Sequence, residues 1–352
     1  MITRKLWPWA ERAFDRRGFL KACGIFGIGA AGGGALQALF EVVRVGRDRV
    51  RVSRSRIAMG TYVTITAVHA SADHAEEAIG RAFEEMERLI AILSRHDTAS
   101  PVAVLNSEGI IRRPPAELVE VVQRALDLHR TSRGAFDITV KPLVDLFEKS
   151  PGQGGAMPTD GELRDALARV GSDGIEMADG HIRFSTRGMG ITLDGIAKGY
   201  VVDQISQVLS ARGIDDHLVN AGGDIRTRGR RADGRPWTVA VEDPEKKGRY
   251  PEVLRLTSAA VATSGSYEIY YDREKVYNHL VDPHTGRSPH YSKSVTVTAR
   301  SVMQADALAT AVFVMGPGDG LRLIDSTPQS ACLMLGDGGE RHRSAGWKAQ
   351  AL

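Results

Sequence analysis

Ile191-Thr192-Leu193-Asp194-Gly195-Ile196-Ala197-Lys198-Gly199-Tyr200 reads as a strand end, a corner and a helix start. Apolar and polar residues alternate up to Leu193, as in a half-buried strand. From Ile196 the apolar residues Tyr200, Val201, Ile205, Val208 and Leu209 return at helical spacing until Gly213 ends the pattern. Asp194 falls where an N-cap belongs, and Gly195 lets another molecule approach the first turn. Free N–H groups at such an end attract anions, phosphate above all, and Lys198 adds a cation one turn in. An ordinary capped strand–helix junction has the same sequence, so the stretch alone leaves both readings open.

Working outward, residues 59–70 alternate like a half-buried strand, and residues 73–93 carry one apolar helical stripe from Ala75 to Leu93. Residues 94–115 read as loop. A second helix is expected from Pro114-Pro115 to about residue 132, closed by Gly134. Residues 135–143 read as an extended piece stopped by Pro142, and residues 150–158 as a Pro/Gly-rich loop. Thr159-x-x-Glu162 is a capping box, and Ala178-Asp179-Gly180 a hairpin turn leading to the central strand. Beyond the central helix, residues 217–228 read as a strand interrupted by Asn220-Ala221-Gly222-Gly223-Asp224. Further strands are expected at 237–242, 253–263, 267–271, 276–281, 295–298 and 331–335, with a helix over 303–315. Helices and hairpins are mixed and do not alternate, which predicts an α+β domain with an antiparallel sheet over residues 57–345.

The formal net charge of +3 is too small to point to nucleic acid, and two cysteines, Cys23 and Cys332, imply no disulfide framework. Asp15-Arg16-Arg17-Gly18-Phe19-Leu20-Lys21 precedes a weakly apolar Gly/Ala-rich run and resembles a twin-arginine export signal. Residues 1–40 are therefore expected to be a signal or anchor, and residues 41–56 a basic linker. The expected place is the periplasm or the periplasmic side of the inner membrane.

Several segments carry residues suited to chemistry, each with a plain structural alternative. Paired glycines in Asn220-Ala221-Gly222-Gly223-Asp224, and Thr263-Ser264-Gly265-Ser266-Tyr267, mark either turns or close approach by a ligand. His279 precedes the turn Asp282-Pro283-His284-Thr285-Gly286, a place for a general base or for a structural histidine. Asp306 and Thr310 share a helical face and are hard oxygen donors suited to Mg²⁺. Equally, the acid could answer the helix dipole and the threonine a carbonyl. Dinucleotide, Walker and zinc fingerprints and the Gly-x-Ser-x-Gly elbow do not occur.

The order of these segments is more specific than any one of them. Met59-Gly60-Thr61, Ala135-Phe136-Asp137-x-Thr139, the 195–203 helix start, Val219-Asn220-Ala221-Gly222-Gly223-Asp224, Thr263-Ser264-Gly265, His279-x-x-Asp282-Pro283-x-Thr285-Gly286 and Ala305-Asp306-Ala307-x-Ala309-Thr310 follow one another. So arranged, the chain resembles the FAD:protein FMN transferases, the ApbE-type flavin transferases. The resemblance implies cleavage of the FAD pyrophosphate and transfer of FMN to a Thr or Ser hydroxyl of a protein acceptor, with AMP released. It also implies that Met59, His96, Ala135, Phe136, Asp137, Lys198 and Leu280 line the FAD site. Asp306, Thr310 and the Gly195 carbonyl would hold Mg²⁺, and His279 would activate the acceptor. The chain departs from the pattern twice. His96 stands where many members have an aromatic residue, and Thr192-Leu193-Asp194-Gly195 replaces Asp-Leu-Gly-Gly. The second variant resembles the subgroup that accompanies respiratory complexes. An FAD pyrophosphatase and a non-catalytic FAD carrier remain alternative readings.

Overall fold

A computed structural model describes residues 40–45, 48–149, 157–245, 250–267, 270–271 and 277–348. In chain order its elements are β1 (Phe40–Arg44), β2 (Val50–Ala58), β3 (Thr61–His69), α1 (Ala72–Leu93), α2 (Pro101–Glu108), β4 (Ile110–Arg112), α3 (Ala116–Thr131), α4 (Lys141–Lys149), α5 (Asp160–Leu167), β5 (Ile175–Ala178) and β6 (His181–Phe184). Then come α6 (Ala197–Ala211), β7 (Asp216–Ala221), β8 (Asp224–Arg228), β9 (Trp237–Val241), β10 (Glu252–Leu256), β11 (Ala259–Gly265), β12 (Ser294–Ala299), α7 (Val302–Ser326), β13 (Ala331–Leu335) and β14 (Arg341–Arg343).

Among the described residues, nine strands form one sheet in the order β1-β2-β3-β7-β8-β11-β12-β13-β14, every pair antiparallel. Its inner face, with Val63, Ile65, Val219, Ala262 and Val297 fully or nearly fully buried, packs on α1, α6 and α7. The outer face carries Ile225, Val261 and Leu333 under the β9–β10 hairpin and Trp347. A small sheet, β4-β6-β5, and the α4–α5 pair complete the molecule. The expected α+β class with antiparallel strands is the one found.

The expected basic linker over residues 41–56 is corrected: β1 and β2 occupy most of its described residues. Val50 and Val52 are buried, while Arg49, Arg51, Arg54 and Arg56 pair with Asp216, Glu41, Glu76 and Glu87. Arg51 lies on the face opposite Val50 and Val52, while Arg54 and Arg56 follow on the valines' own face toward the more exposed end of β2, where Glu76 and Glu87 of α1 meet them. The loop expected over 94–115 contains α2 and β4. Ser100 caps α2, accepting from the Ala103 N–H, and Gly109 ends it at φ 73°. The extended piece expected at 135–143 is a 3₁₀ turn running into α4, where Pro142 sits in the first turn that tolerates it. Residues 217–228 are a hairpin, not a broken strand. Gly222 and Gly223 have φ of 63° and 104° in its turn, which side chains resist. The helix expected over 303–315 breaks where expected, because Gly316 at φ 73° and ψ −178° is not helical; a second helical stretch, opened by Pro317, then carries α7 on to Ser326. Of the strands expected at 267–271 and 276–281, part lies outside the described residues, and the rest shows an isolated Tyr270–Asn278 bridge. Residues 1–39, with the expected export signal, also lie outside the described residues.

Candidate functional site

The central stretch does its work differently from the expectation. Ile191, Thr192 and Leu193 are buried but belong to no sheet. The Asn106 amide takes the place of a partner strand. Its Oδ1 accepts from the Ile191 N–H at 2.7 Å and its Nδ2 donates to the Ile191 carbonyl at 2.9 Å, while the Thr192 N–H donates to Ile138 O at 2.8 Å. Asp194 is not the N-cap, because α6 begins three residues later, at Ala197, with Ile196 in the cap position. Its carboxylate turns to Arg95, 3.1 Å from Nε. Burial opposes the charge on Asp194, but Arg95 and the Thr192 hydroxyl outweigh it and hold the carboxyl below the usual range. The side chain is nonetheless 60% exposed, over the nearly buried Arg95 side chain.

The start of α6 is capped from a distance. Gly199 N–H donates to Asp306 Oδ2 at 3.0 Å, a residue of α7. In return Asp203 of α6 accepts from the first two N–H groups of α7, Val302 at 3.0 Å and Met303 at 2.9 Å. The two helix starts touch through backbone, because a β-carbon on Gly199 would lie 2.5 Å from the Val302 carbonyl oxygen. Two positive helix ends thus converge on one point.

Acids are gathered at that point. Asp306 is buried, and burial first, then the charge of Asp224, pushes its carboxyl well above the usual range. Lys198 and the Gly199 N–H pull the other way. The Lys198 ammonium lies 3.1 Å from Asp224 Oδ2, whose side chain is almost wholly buried. Thr310, one turn beyond Asp306, points its Oγ1 at Ser264 Oγ, 3.2 Å away. A β-carbon on Gly195 would lie 3.1 Å from that same Thr310 oxygen and 3.4 Å from the Phe136 ring. Gly195, Phe136, Lys198, Asp306 and Thr310, singled out from sequence, therefore meet, and Asp224 joins them.

The remaining residues build the walls. Met59 turns the β2–β3 corner at φ 51°, and the neighbouring Thr61 fills the space a side chain on Gly222 would need, two residues before Asp224. Asp137, expected against a flavin, faces inward. Its carboxylate accepts from Thr139 N (2.7 Å), Ser172 N (3.0 Å) and the Ser172 hydroxyl (2.7 Å), with His129 Nδ1 at 3.2 Å. It shapes the segment that presents Ala135 and Phe136 and leaves no oxygen to the cleft. His279 is half-buried and its neighbour Leu280 is in the main core. Asn278 fixes this loop by donating through its N–H to Ser288 Oγ at 2.8 Å, while Asp282 caps the turn that follows. His284 of that turn packs on Gly134, immediately before Ala135. His96 is exposed, and partial desolvation, then the charge of Arg95, pushes its imidazole below the ordinary value.

Sequence reasoning missed Arg95, Asn106, Asp203 and Asp224 as members of the site. Their partners lie dozens of residues away, and local pattern carries no trace of them. Arg95 gathers two acids, 2.6 Å from Glu148 Oε1 and 3.1 Å from Asp194 Oδ2. A cleft of about 440 Å³ adjoins it, walled by Asn106, Lys141, Asp145, Arg169 and Gly190. A second cavity of about 430 Å³, lined by Leu254, Arg300 and Trp347, lies on the sheet's outer side and touches none of these residues.

The comparisons with known proteins agree with this architecture. The ApbE family model matches residues 59–334. A curated FAD:protein FMN transferase of Vibrio cholerae is 33% identical over 261 residues, 72% of this chain and 75% of that protein. Its counterpart in Treponema pallidum is 31% identical over 316 residues, 82% of this chain and 86% of that protein. Among solved structures, flavin transferase ApbE from Vibrio cholerae superimposes with TM-score 0.72 at 31% identity, covering 84% of this chain and 97% of the other. The ApbE protein of Thermotoga maritima does so with TM-score 0.76 at 30% identity, over 84% and 97%. With most of its length matched in sequence and in fold, the chain belongs to the ApbE family.

Proposed function

We propose that this enzyme transfers FMN from FAD to a Thr or Ser hydroxyl of an exported acceptor protein, with Mg²⁺ as cofactor and AMP as the leaving group. The observation that carries the metal part is the buried acid pair. Asp306 and Asp224 both feel the ammonium of Lys198, and burial together with the charge of Asp224 drives the Asp306 proton affinity up. Such a place is short of positive charge, and its donors, a carboxylate, the Thr310 hydroxyl and the Gly195 carbonyl, are the hard oxygens Mg²⁺ takes. The group fits. When bound, Mg²⁺ would neutralise charge developing on the pyrophosphate.

The chain's own groups do the rest. Gly195 carries no side chain, which keeps the space before Thr310 and Phe136 open to a substrate phosphate. The converging starts of α6 and α7 favour that anion. Lys198, held on Asp224, adds a fixed cation at the same place. His279, on its anchored loop, takes the proton of the acceptor hydroxyl. The hydroxyl oxygen then bonds to the FMN phosphorus while the bridging P–O bond breaks and AMP departs with its electron pair. Export by the twin-arginine route, and an acceptor in a respiratory complex, complete the reading on the strength of Arg16-Arg17 and Thr192-Leu193-Asp194.

The test is incubation with FAD, MgCl₂ and a periplasmic extract, followed by mass spectrometry for FMN-bearing peptides. Modified Thr or Ser residues are expected with the wild type. His279→Ala should transfer at least roughly a hundredfold more slowly, the scale of acid–base catalysis. FMN released only to water would instead make the enzyme a pyrophosphatase, and retained, uncleaved FAD would make it a carrier.

A further inference from the structure

We propose that Asp203 is a positioning residue for the cation site, setting the register of α7 so that Asp306 and Thr310 face Gly195. The proposal rests on the metal reading above and adds a residue to it.

A helix begins with four N–H groups that have no partner within the helix. At the start of α7, Ser301 Oγ accepts from Gln304 N at 3.1 Å. Asp203 takes the two preceding N–H groups, one on each carboxylate oxygen, Val302 on Oδ1 and Met303 on Oδ2. Val302 is fully buried, so water cannot replace that carboxylate. Arg226 holds the assembly from the other side. Its NH1 lies 3.6 Å from Asp203 Oδ1 and donates to the Arg300 carbonyl at 2.6 Å, just before the helix.

Bidentate capping fixes rotation as well as position, since two adjacent N–H vectors must meet two oxygens. Rotation matters here because each residue of a helix turns the face by about 100° and advances it about 1.5 Å. Asp306 and Thr310 lie within the next two turns, and their oxygens must stay opposite Gly195. Asp203 itself is fixed on α6 one turn after Gly199, whose own N–H is held by Asp306. The two carboxylates therefore cap each other's helices, and the cation site lies between the two links. Loss of one link leaves Asp306 present but free to move relative to Gly195.

Asp203→Asn and Asp203→Ala test this. Asn keeps the volume but offers one acceptor oxygen, and turns an NH₂ toward the other N–H. Calorimetric titration of the FAD-saturated protein with MgCl₂ should show Mg²⁺ affinity weakened roughly tenfold or more, the usual result of removing a group that orients a metal ligand. Excess Mg²⁺ should restore most of the turnover, a response that general loss of structure would not give. Asp306→Ala is the control, and should lose Mg²⁺ binding altogether. Wild-type Mg²⁺ affinity in both Asp203 variants, with Asp306→Ala defective, would overturn the positioning role alone. Unchanged Mg²⁺ binding by Asp306→Ala would overturn the metal reading beneath it. An Asp203→Asn protein that does not fold would also refute the proposal, which gives the residue a local task.

Discussion

Gly199→Ala sets two known effects against each other. In an exposed helix interior, alanine stabilises over glycine by about 1 kcal/mol, because the unfolded chain has less freedom to lose. At position 199 the new β-carbon would sit 2.5 Å from the Val302 carbonyl oxygen and 2.7 Å from Met303 N and Cα. All three are backbone atoms, which cannot rotate aside. The starts of α6 and α7 must then separate by roughly 1 Å, and overpacking of that kind costs about 1–3 kcal/mol. The Gly199 N–H bond to Asp306 Oδ2, 3.0 Å long, would stretch beyond bonding distance, with the acid still buried. That loss adds about 1–2 kcal/mol. The clash outweighs the propensity gain, leaving a net loss of roughly 1–4 kcal/mol and, at about 2.1 cal/mol/K of unfolding entropy per residue, a melting temperature lower by roughly 2–6 °C. Thermal melts monitored by circular dichroism read this directly, and Mg²⁺-dependent FMN transfer should fall with it. A variant as stable as the wild type or more so, with normal Mg²⁺ response, would refute the account of the helix contact.

Two other outcomes follow from the same reasoning. His217 is fully buried, accepting or donating at Ser206 Oγ (2.7 Å) and meeting Ile214 O (2.7 Å), and burial depresses its pKa from 6.5 to about 4. The folded state resists protonation that the unfolded state accepts, so this contribution is complete above pH 6.5 and is lost as pH falls toward 4, roughly 3 kcal/mol in all. Urea midpoints of His217→Gln, measured from pH 7 to 4, should fall less steeply than those of the wild type, and parallel curves would contradict the assignment. Replacing Arg16 and Arg17 by lysine should leave the protein in the cytoplasm on cell fractionation, and unchanged export would exclude the twin-arginine route.

Local pattern revealed those parts of the fold that are stabilised locally. The apolar stripe of α1 buries Ala75, Ile79, Phe83, Met86 and Leu93 as the spacing requires, and Ser71 caps it. Thr159 and Glu162 form both bonds of the capping box, and Ala178 to His181 turn the β5–β6 hairpin. Failures came where the partner is distant. Residues 191–193 look like a strand because a strand-like ladder does hold them, but its other side is the Asn106 amide, 85 residues away. Asp194 looks like a cap because α6 needs one, yet the acid that serves comes from position 306. Arg49 and the arginines of β2 look like a linker only until the carboxylates of Asp216, Glu41, Glu76 and Glu87 are placed opposite them.

The two departures from the family pattern turn out to be neighbours in space. In sequence, His96 and Asp194 are unrelated; in the fold, both flank the Arg95 guanidinium. Thr192, standing where many members have the acid, supports Asp194 through its hydroxyl, and the negative charge of Asp194 lies beside Arg95. That charge acts on His96 against burial and Arg95, which together favour the neutral ring. Asp194 thus places its charge beside Arg95, and the guanidinium with partial desolvation holds the His96 imidazole below its ordinary value. Arg95 links the two changes, because without its guanidinium Asp194 would lose its principal counter-charge and His96 one of the influences that keep it uncharged. The substitutions at 96, 192 and 194 are best understood as one altered unit of the site.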